Sequence, residues 1–201
     1  MKVFVDLFAG LGGASEAFYQ HHEWNVIRID NMEELLEHTR GLTICDLADT
    51  ERAISMIDAL IGTRMSDDTL VIWASPPCQQ YSLANSTRAP DDFDNTLVLA
   101  ALEIIEHFQP DAWIIENVKG AIDEFNDLVG SSWKQRVGAF YLWGEFTLLA
   151  FKDQADTDHK KLDAKGSRLL RPNYRALVPY PVSLALLNSF EHQTKLFDYF
   201  Q

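Results

Sequence analysis

An α/β doubly wound, mostly parallel sheet is the fold this sequence predicts, on three observations. Apolar strand-like runs alternate with stretches of helical spacing, a glycine cluster follows the first run, and polar residues stand at the carboxyl ends of several runs. Lys2–Leu7 alternates around Val3, Val5 and Leu7 and leads into Gly10, Gly12 and Gly13, a strand, a tight turn and a helix start near Ala14. Asn25–Ile29 reads as a second strand ending at Asp30, followed by a polar helix over Glu33–Arg40 and a short strand at Leu42–Cys45 that closes on Asp46. Ala53, Ile54, Ile57, Leu60 and Ile61 give 50–62 the spacing of a helix. Leu70–Ala74 is a continuous apolar strand running into Ser75-Pro76-Pro77-Cys78. Leu97–Phe108 reads as a helix, Ala112–Ile115 as a buried strand ending at Glu116-Asn117, and Ala139–Trp143 as another strand.

Hydrophobic residues make up 47% and charged residues 23% of the 201, the composition of one domain with one core, and residues 1–201 are read as such. No apolar run approaches the roughly 18 residues that span a bilayer. The amino-terminal run is a strand with one lysine rather than a signal sequence, so a cytoplasmic protein with no membrane partner is expected. A net charge of -13 argues against a protein that coats nucleic acid, because phosphate binding works through Lys and Arg. The basic residues are unevenly spread: ten of the 17 lie between Lys119 and Arg175. Over 152–175, seven basic side chains face four Asp, which reads equally as a phosphate-facing surface or a solvated loop. Cys45 and Cys78 are too few for a disulfide framework or a zinc cluster, and no metal is expected.

Glycines after a first strand let a ligand approach the backbone, and the following helix aims its amides at it. The spacing Gly10-x-Gly12-Gly13 departs from the G-x-G-x-x-G of dinucleotide binders. Asp30 ends the second strand, where doubly wound folds place an acid for ribose hydroxyls, which points to an adenosine-bearing cofactor; a helix cap is the alternative. Pro76-Pro77 stiffens the backbone and presents Cys78 at a strand's carboxyl end, a position suited to a nucleophile. Cys45 reads as a small buried hydrophobe. Glu116 follows an apolar run, and desolvation there favours the protonated form that a proton donor needs.

These residues together resemble the DNA (cytosine-5) methyltransferase family. Asp6-Leu7-Phe8-Ala9-Gly10-Leu11-Gly12-Gly13 is similar to its cofactor loop, Pro77-Cys78-Gln79 to its catalytic loop, and Glu116-Asn117-Val118 to its acid motif. The resemblance implies a Rossmann-like methyltransferase fold and S-adenosyl-L-methionine as cofactor. Asp6, Phe8, Ala9, Gly10, Gly12, Gly13, Asp30, Asn31, Asp46 and Pro76 would surround that cofactor, with Asp30 on its ribose and Asp46 beside its adenine. It also implies that Cys78 adds to C6 of a cytosine while Glu116 serves N3, with Asn117 and Arg136 in the catalytic set. Pro77, Gln79, Ser82, Arg168 and Arg171 would meet the substrate. DNA is the implied partner, its cytosine flipped out of the duplex.

Three departures accompany the match. The family's Gln-x-Arg-x-Arg stands here as Gln135-Arg136-Val137-Gly138-Ala139, so that Arg136 substitutes or Arg168 or Arg171 reaches in. Pro179–Phe190 resembles the helix that returns to complete the cofactor pocket, but Arg175-Ala176-Leu177 replaces the usual Gly-Asn. In place of a target-recognition domain of roughly 100 or more residues, only an excursion at about 146–174 is present. Minimal sequence readout, or a specificity-giving protein partner, is therefore expected, as in the compact enzymes of phages and mobile elements. RNA or a free cytosine nucleotide as substrate, methylation of an exocyclic amine through a Ser-Pro-Pro-Tyr-like loop, and a non-catalytic subunit are the competing readings.

Overall fold

The computed structural model describes residues 1–82, 93–151 and 170–197, the last six of these in backbone only. Seven strands form one sheet in the order β3-β2-β1-β4-β5-β7-β6: β1 Lys2–Leu7, β2 Trp24–Asp30, β3 Leu42–Ile44, β4 Thr69–Ala74, β5 Ala112–Asn117, β6 Gln135–Val137 and β7 Phe140–Glu145. The first five pair in parallel, while β7 runs antiparallel to both β5 and β6. The strand order reverses between β1 and β4, which opens a crevice at their carboxyl ends.

Helices cover both faces because alternate strand residues are apolar in both directions. Val3, Val5 and Leu7 of β1 join a core built with α2 (Thr50–Ile61), α3 (Thr96–Phe108) and α4 (Ile122–Val129). Phe4 points the other way, into a core with α1 (Glu16–Gln20) and α6 (Tyr180–Phe197). α5 (Arg171–Ala176) precedes α6 and brings the chain back over the carboxyl ends of the strands. Among the described residues no helix is long and apolar enough to cross a membrane.

The polar helix expected over Glu33–Arg40 is a single 3₁₀ turn, Glu33–Leu35, followed by turns. Leu35 is the one fully buried apolar side chain in that stretch, so no stripe holds a helix down, and Glu33 and Glu37 would repel one turn apart. Thr39 Oγ1 instead donates to the Gly10 carbonyl (2.8 Å) and ties the segment to the glycine turn. The helix expected from Ala14 begins at Glu16, since Gly10–Ser15 is spent on turns. The sequence reading passed over β6 and α4, the first only three residues long and the second eight.

Candidate active site

The parallel ladder sets the site. β4 and β1 stop together, Leu7 opposite Ala74, and the pairing of β4 with β5 ends at Ala74 opposite Ile115. One residue further on, Phe8, Ser75 and Glu116 emerge side by side at the crevice. Phe8 has φ of 59°, a left-handed conformation rare for a bulky residue, and with it the chain turns out of the sheet into the glycine loop.

These groups line a cleft of about 850 Å³, a volume suited to a small-molecule ligand. Asp6, Phe8, Ala9, Gly10, Gly13, Asp30, Asn31, Asp46 and Pro76, from the expected cofactor set, all border it. So do Cys78, Glu116, Pro77, Gln79, Ser82 and Arg171. Asp30 accepts from the Gly10 amide through Oδ2 (2.9 Å) and from the Met32 amide through Oδ1 (3.0 Å). The carboxylate thus joins the glycine loop to the turn after β2 rather than capping a helix.

Three expected residues lie elsewhere. Gly12 is off the cleft wall: its φ is +75°, and a side chain on it would stand 2.8 Å from Arg28 Cζ, so its bareness accommodates Arg28. Asn117 is buried off the wall, where Nδ2 donates to the Pro76 carbonyl (2.9 Å) and Oδ1 accepts from the Val118 amide (2.9 Å). Arg136 borders a smaller cavity of about 260 Å³ that shares Ser82, Val118 and Ala139 with the main cleft. Its Nε donates to the Gly138 carbonyl (2.9 Å) and its guanidinium lies over the Tyr141 ring (5.6 Å). Arg168 lies outside the described residues, as does most of the excursion.

Sequence reasoning missed Ser75, Met32, Leu47, Asn173 and Val178 on the cleft wall. Asn173 belongs to α5, which reaches the cleft only through the return of the chain; Arg175, Ala176 and Leu177 arrive with it. A side chain on Gly13 would come within 2.4 Å of the Val178 carbonyl and 2.7 Å of Leu177 Cδ1, so this glycine is what lets the returning segment close on the loop.

The titratable groups differ in how they are held. Burial raises Glu116 to about 7, partly offset by the hydrogen bond with Ser75. Burial also raises Asp6 to about 7, against a hydrogen bond from Ser15 (2.5 Å) and the charge of Arg28. The Cys78 thiol is pushed up from its ordinary value by burial first and by the Glu116 charge second. The Cys78 carbonyl accepts from the amides of Tyr81 (3.1 Å) and Ser82 (3.0 Å), which curls the loop after Pro77. Gln80 and Asp94 exchange two hydrogen bonds (2.5 and 2.8 Å) and fasten the far side of that loop.

The family model for C-5 cytosine-specific DNA methylases matches residues 2–140. The type II methyltransferase M.HpaII of Haemophilus parainfluenzae is 32% identical over 117 residues, 58% of this chain and 31% of its own length. M.DdeI of Desulfomicrobium norvegicum is 27% identical over 129 residues, 59% of this chain and 28% of its own. Mouse DNA (cytosine-5)-methyltransferase 1 is 25% identical over 138 residues, 62% of this chain and 8% of its own. The chain therefore spans under a third of each of these relatives.

Proposed function

The chain belongs to the C-5 cytosine-specific DNA methylase family, and from that premise we propose that it methylates C5 of cytosine in DNA. The donor would be S-adenosyl-L-methionine, and the reaction would pass through a Cys78 adduct at C6 assisted by Glu116. The observation that carries this reading is the convergence of three elements on one cleft: the glycine loop, the Cys78 turn and Glu116.

The residues present suit the donor. Asp30 and Asn31 would hold its ribose hydroxyls, Asp46 would lie beside its adenine, and Phe8, Asp6 and the Ala9–Gly10 backbone would pack around the rest of it; all of them border the cleft. When bound, the donor supplies an electrophilic methyl on a sulfonium. Cytosine C5 is a poor nucleophile until a group adds to C6. Cys78 Sγ forms that bond while Glu116, in its acid form, gives a proton or hydrogen bond to N3, and ring electron density gathers at C5. After C5 has taken the methyl, its proton leaves to a base and the Sγ–C6 bond breaks, returning the thiolate. The two groups help each other: with the proton on Glu116, the charge that raises the Cys78 thiol is gone. Pro77, Gln79, Ser82 and Arg171 would contact the flipped nucleotide, with Arg136 beside it.

The test supplies methyl-labelled donor and, separately, double-stranded DNA, single-stranded DNA, tRNA and dCMP to the protein and to Cys78→Ala. The expected result is label in 5-methylcytosine of DNA, absent with the variant. Label in RNA or in the nucleotide instead would reassign the substrate. No transfer to any of them, with donor binding intact, would make the chain a binding subunit that needs a partner.

A further inference from the structure

We propose that Arg28 and Ser15 are positioning residues for the donor: a buried relay behind the glycine loop that sets the orientation and charge of Asp6. The proposal rests on the cofactor reading above.

Arg28 occupies a place in β2 where alternation calls for an apolar residue. Ile27 and Ile29 point into one core and Val26 packs against the other, yet Arg28, on the same face as Val26, is 1% exposed. A guanidinium so buried persists only when its donors are satisfied. Here they are: Nε donates to Ser15 Oγ (2.8 Å), Nη1 to the Arg40 carbonyl (3.0 Å), and Nη2 to the Gly12 carbonyl (3.2 Å) and Glu16 Oε2 (2.7 Å). Its flat face lies 4.4 Å from the Tyr19 ring centroid. Nearly every partner belongs to the glycine turn or to α1, so one side chain grips the back of the loop whose front borders the cleft.

The relay continues forward. Ser15 Oγ, accepting from Arg28, has one proton to give, and the Asp6 Oδ2 at 2.5 Å takes it ahead of the Gly12 carbonyl at 3.3 Å; Asp6 borders the cleft. The charged groups that act on Asp6 are Arg28, which favours its ionised form, and Asp30, which opposes it; Glu16 and Arg40 stand behind Arg28. Burial would otherwise hold the Asp6 carboxyl neutral, and it lies at about 7 with the relay in place. An ionised Asp6 favours a ligand bearing positive charge, such as a sulfonium or an ammonium, so donor affinity rises with pH through this range.

The test measures the affinity of S-adenosyl-L-methionine calorimetrically from about pH 6 to 9, bracketing the Asp6 value, for the wild-type chain, Ser15→Ala and Arg28→Lys. Thermal denaturation alongside checks the fold. Each measurement is repeated on a Glu116→Gln background, because Glu116 titrates in the same range. Ser15→Ala should lose about tenfold in affinity at neutral pH, the worth of one hydrogen bond to a charged group. Its binding midpoint should move to higher pH. Arg28→Lys, with its charge kept but its fork lost, should fall between. A purely structural role lowers the melting temperature without moving the midpoint, so a midpoint unchanged in Ser15→Ala, or a flat wild-type profile, overturns the proposal. No donor binding by the wild-type chain at any pH would instead sink the cofactor reading, and this inference with it.

Discussion

The two halves of the cleft hold their charges differently. On the β1–β2 side, Arg28 has four hydrogen-bonding partners and Asp30 bonds two backbone amides, so the loop is braced before any ligand arrives. On the β4–β5 side, Glu116 is buried with Ser75 as its offsetting partner, and the Cys78 thiol is raised rather than activated. A braced half suits binding, since preorganisation lowers the cost of ordering a ligand site. A half whose carboxyl and thiol are both raised by burial suits the proposed chemistry, because these groups change state when a substrate alters their surroundings.

If the halves are separable, the largest effect comes from Cys78→Ala. Methyl transfer should fall by on the order of 10⁴ or more, while calorimetric affinity for the donor stays as in the wild-type chain. Loss of both together would break the comparison.

Glu116→Gln should lower kcat by about 10² to 10⁴ and change the pH profile. On the proposed mechanism transfer needs the acid form of Glu116 and the thiolate of Cys78, so kcat/KM should climb with pH up to about 7 and then level off as Glu116 ionises. The variant should show no break there. Stability should move in the opposite sense. The folded chain retains the Glu116 proton up to about 7, against an ordinary 4.5, so wild-type stability falls as pH rises through that window. Gln has no proton to lose, and thermal denaturation above pH 7 should find the variant more stable by about 3 kcal/mol, a gain that vanishes below the ordinary carboxyl range.

Asp30→Ala probes the braced side. It strands the Gly10 and Met32 amides and should weaken donor binding about 10- to 100-fold, leaving kcat at saturating donor within a few-fold. A kcat collapse at saturation would mean that the loop also aligns the chemistry. The smallest effect is expected from Asn117→Ala, which frees the Pro76 carbonyl and should cost about 1–2 kcal/mol of stability, read by denaturant titration. With it, the Cys78 turn should loosen and kcat fall while donor affinity is kept.

Legibility followed the same division. The alternation of Val3, Val5 and Leu7, the apolar run Leu70–Ala74 and the helical spacing over 50–62 announced their elements because burial on a known period leaves a local mark. The Glu33–Arg40 stretch misled because helix-forming residues without an apolar stripe have nothing to pack. Strand β6 escaped because three residues make no pattern. Gly12 reads in the sequence as part of a cofactor loop; the fold adds that its bare Cα makes room for Arg28, sixteen positions away.

What the sequence alone determined is the set of chemical groups at the strand ends: a glycine loop, a carboxylate at Asp30, a thiol at Cys78 behind two prolines and a carboxyl at Glu116. Each is legible because a strand's carboxyl end is a local event, marked by the residues beside it. Tertiary structure decided which groups share a wall. It set Ser75 beside Glu116 by strand register, turned Arg28 inward to hold the loop from behind, moved Arg136 to a neighbouring cavity and carried Asn173 and Arg175 to the cleft. Those outcomes depend on pairings between distant segments, whose energies lie in the burial and hydrogen bonding of groups far apart in the chain, and no local pattern records them.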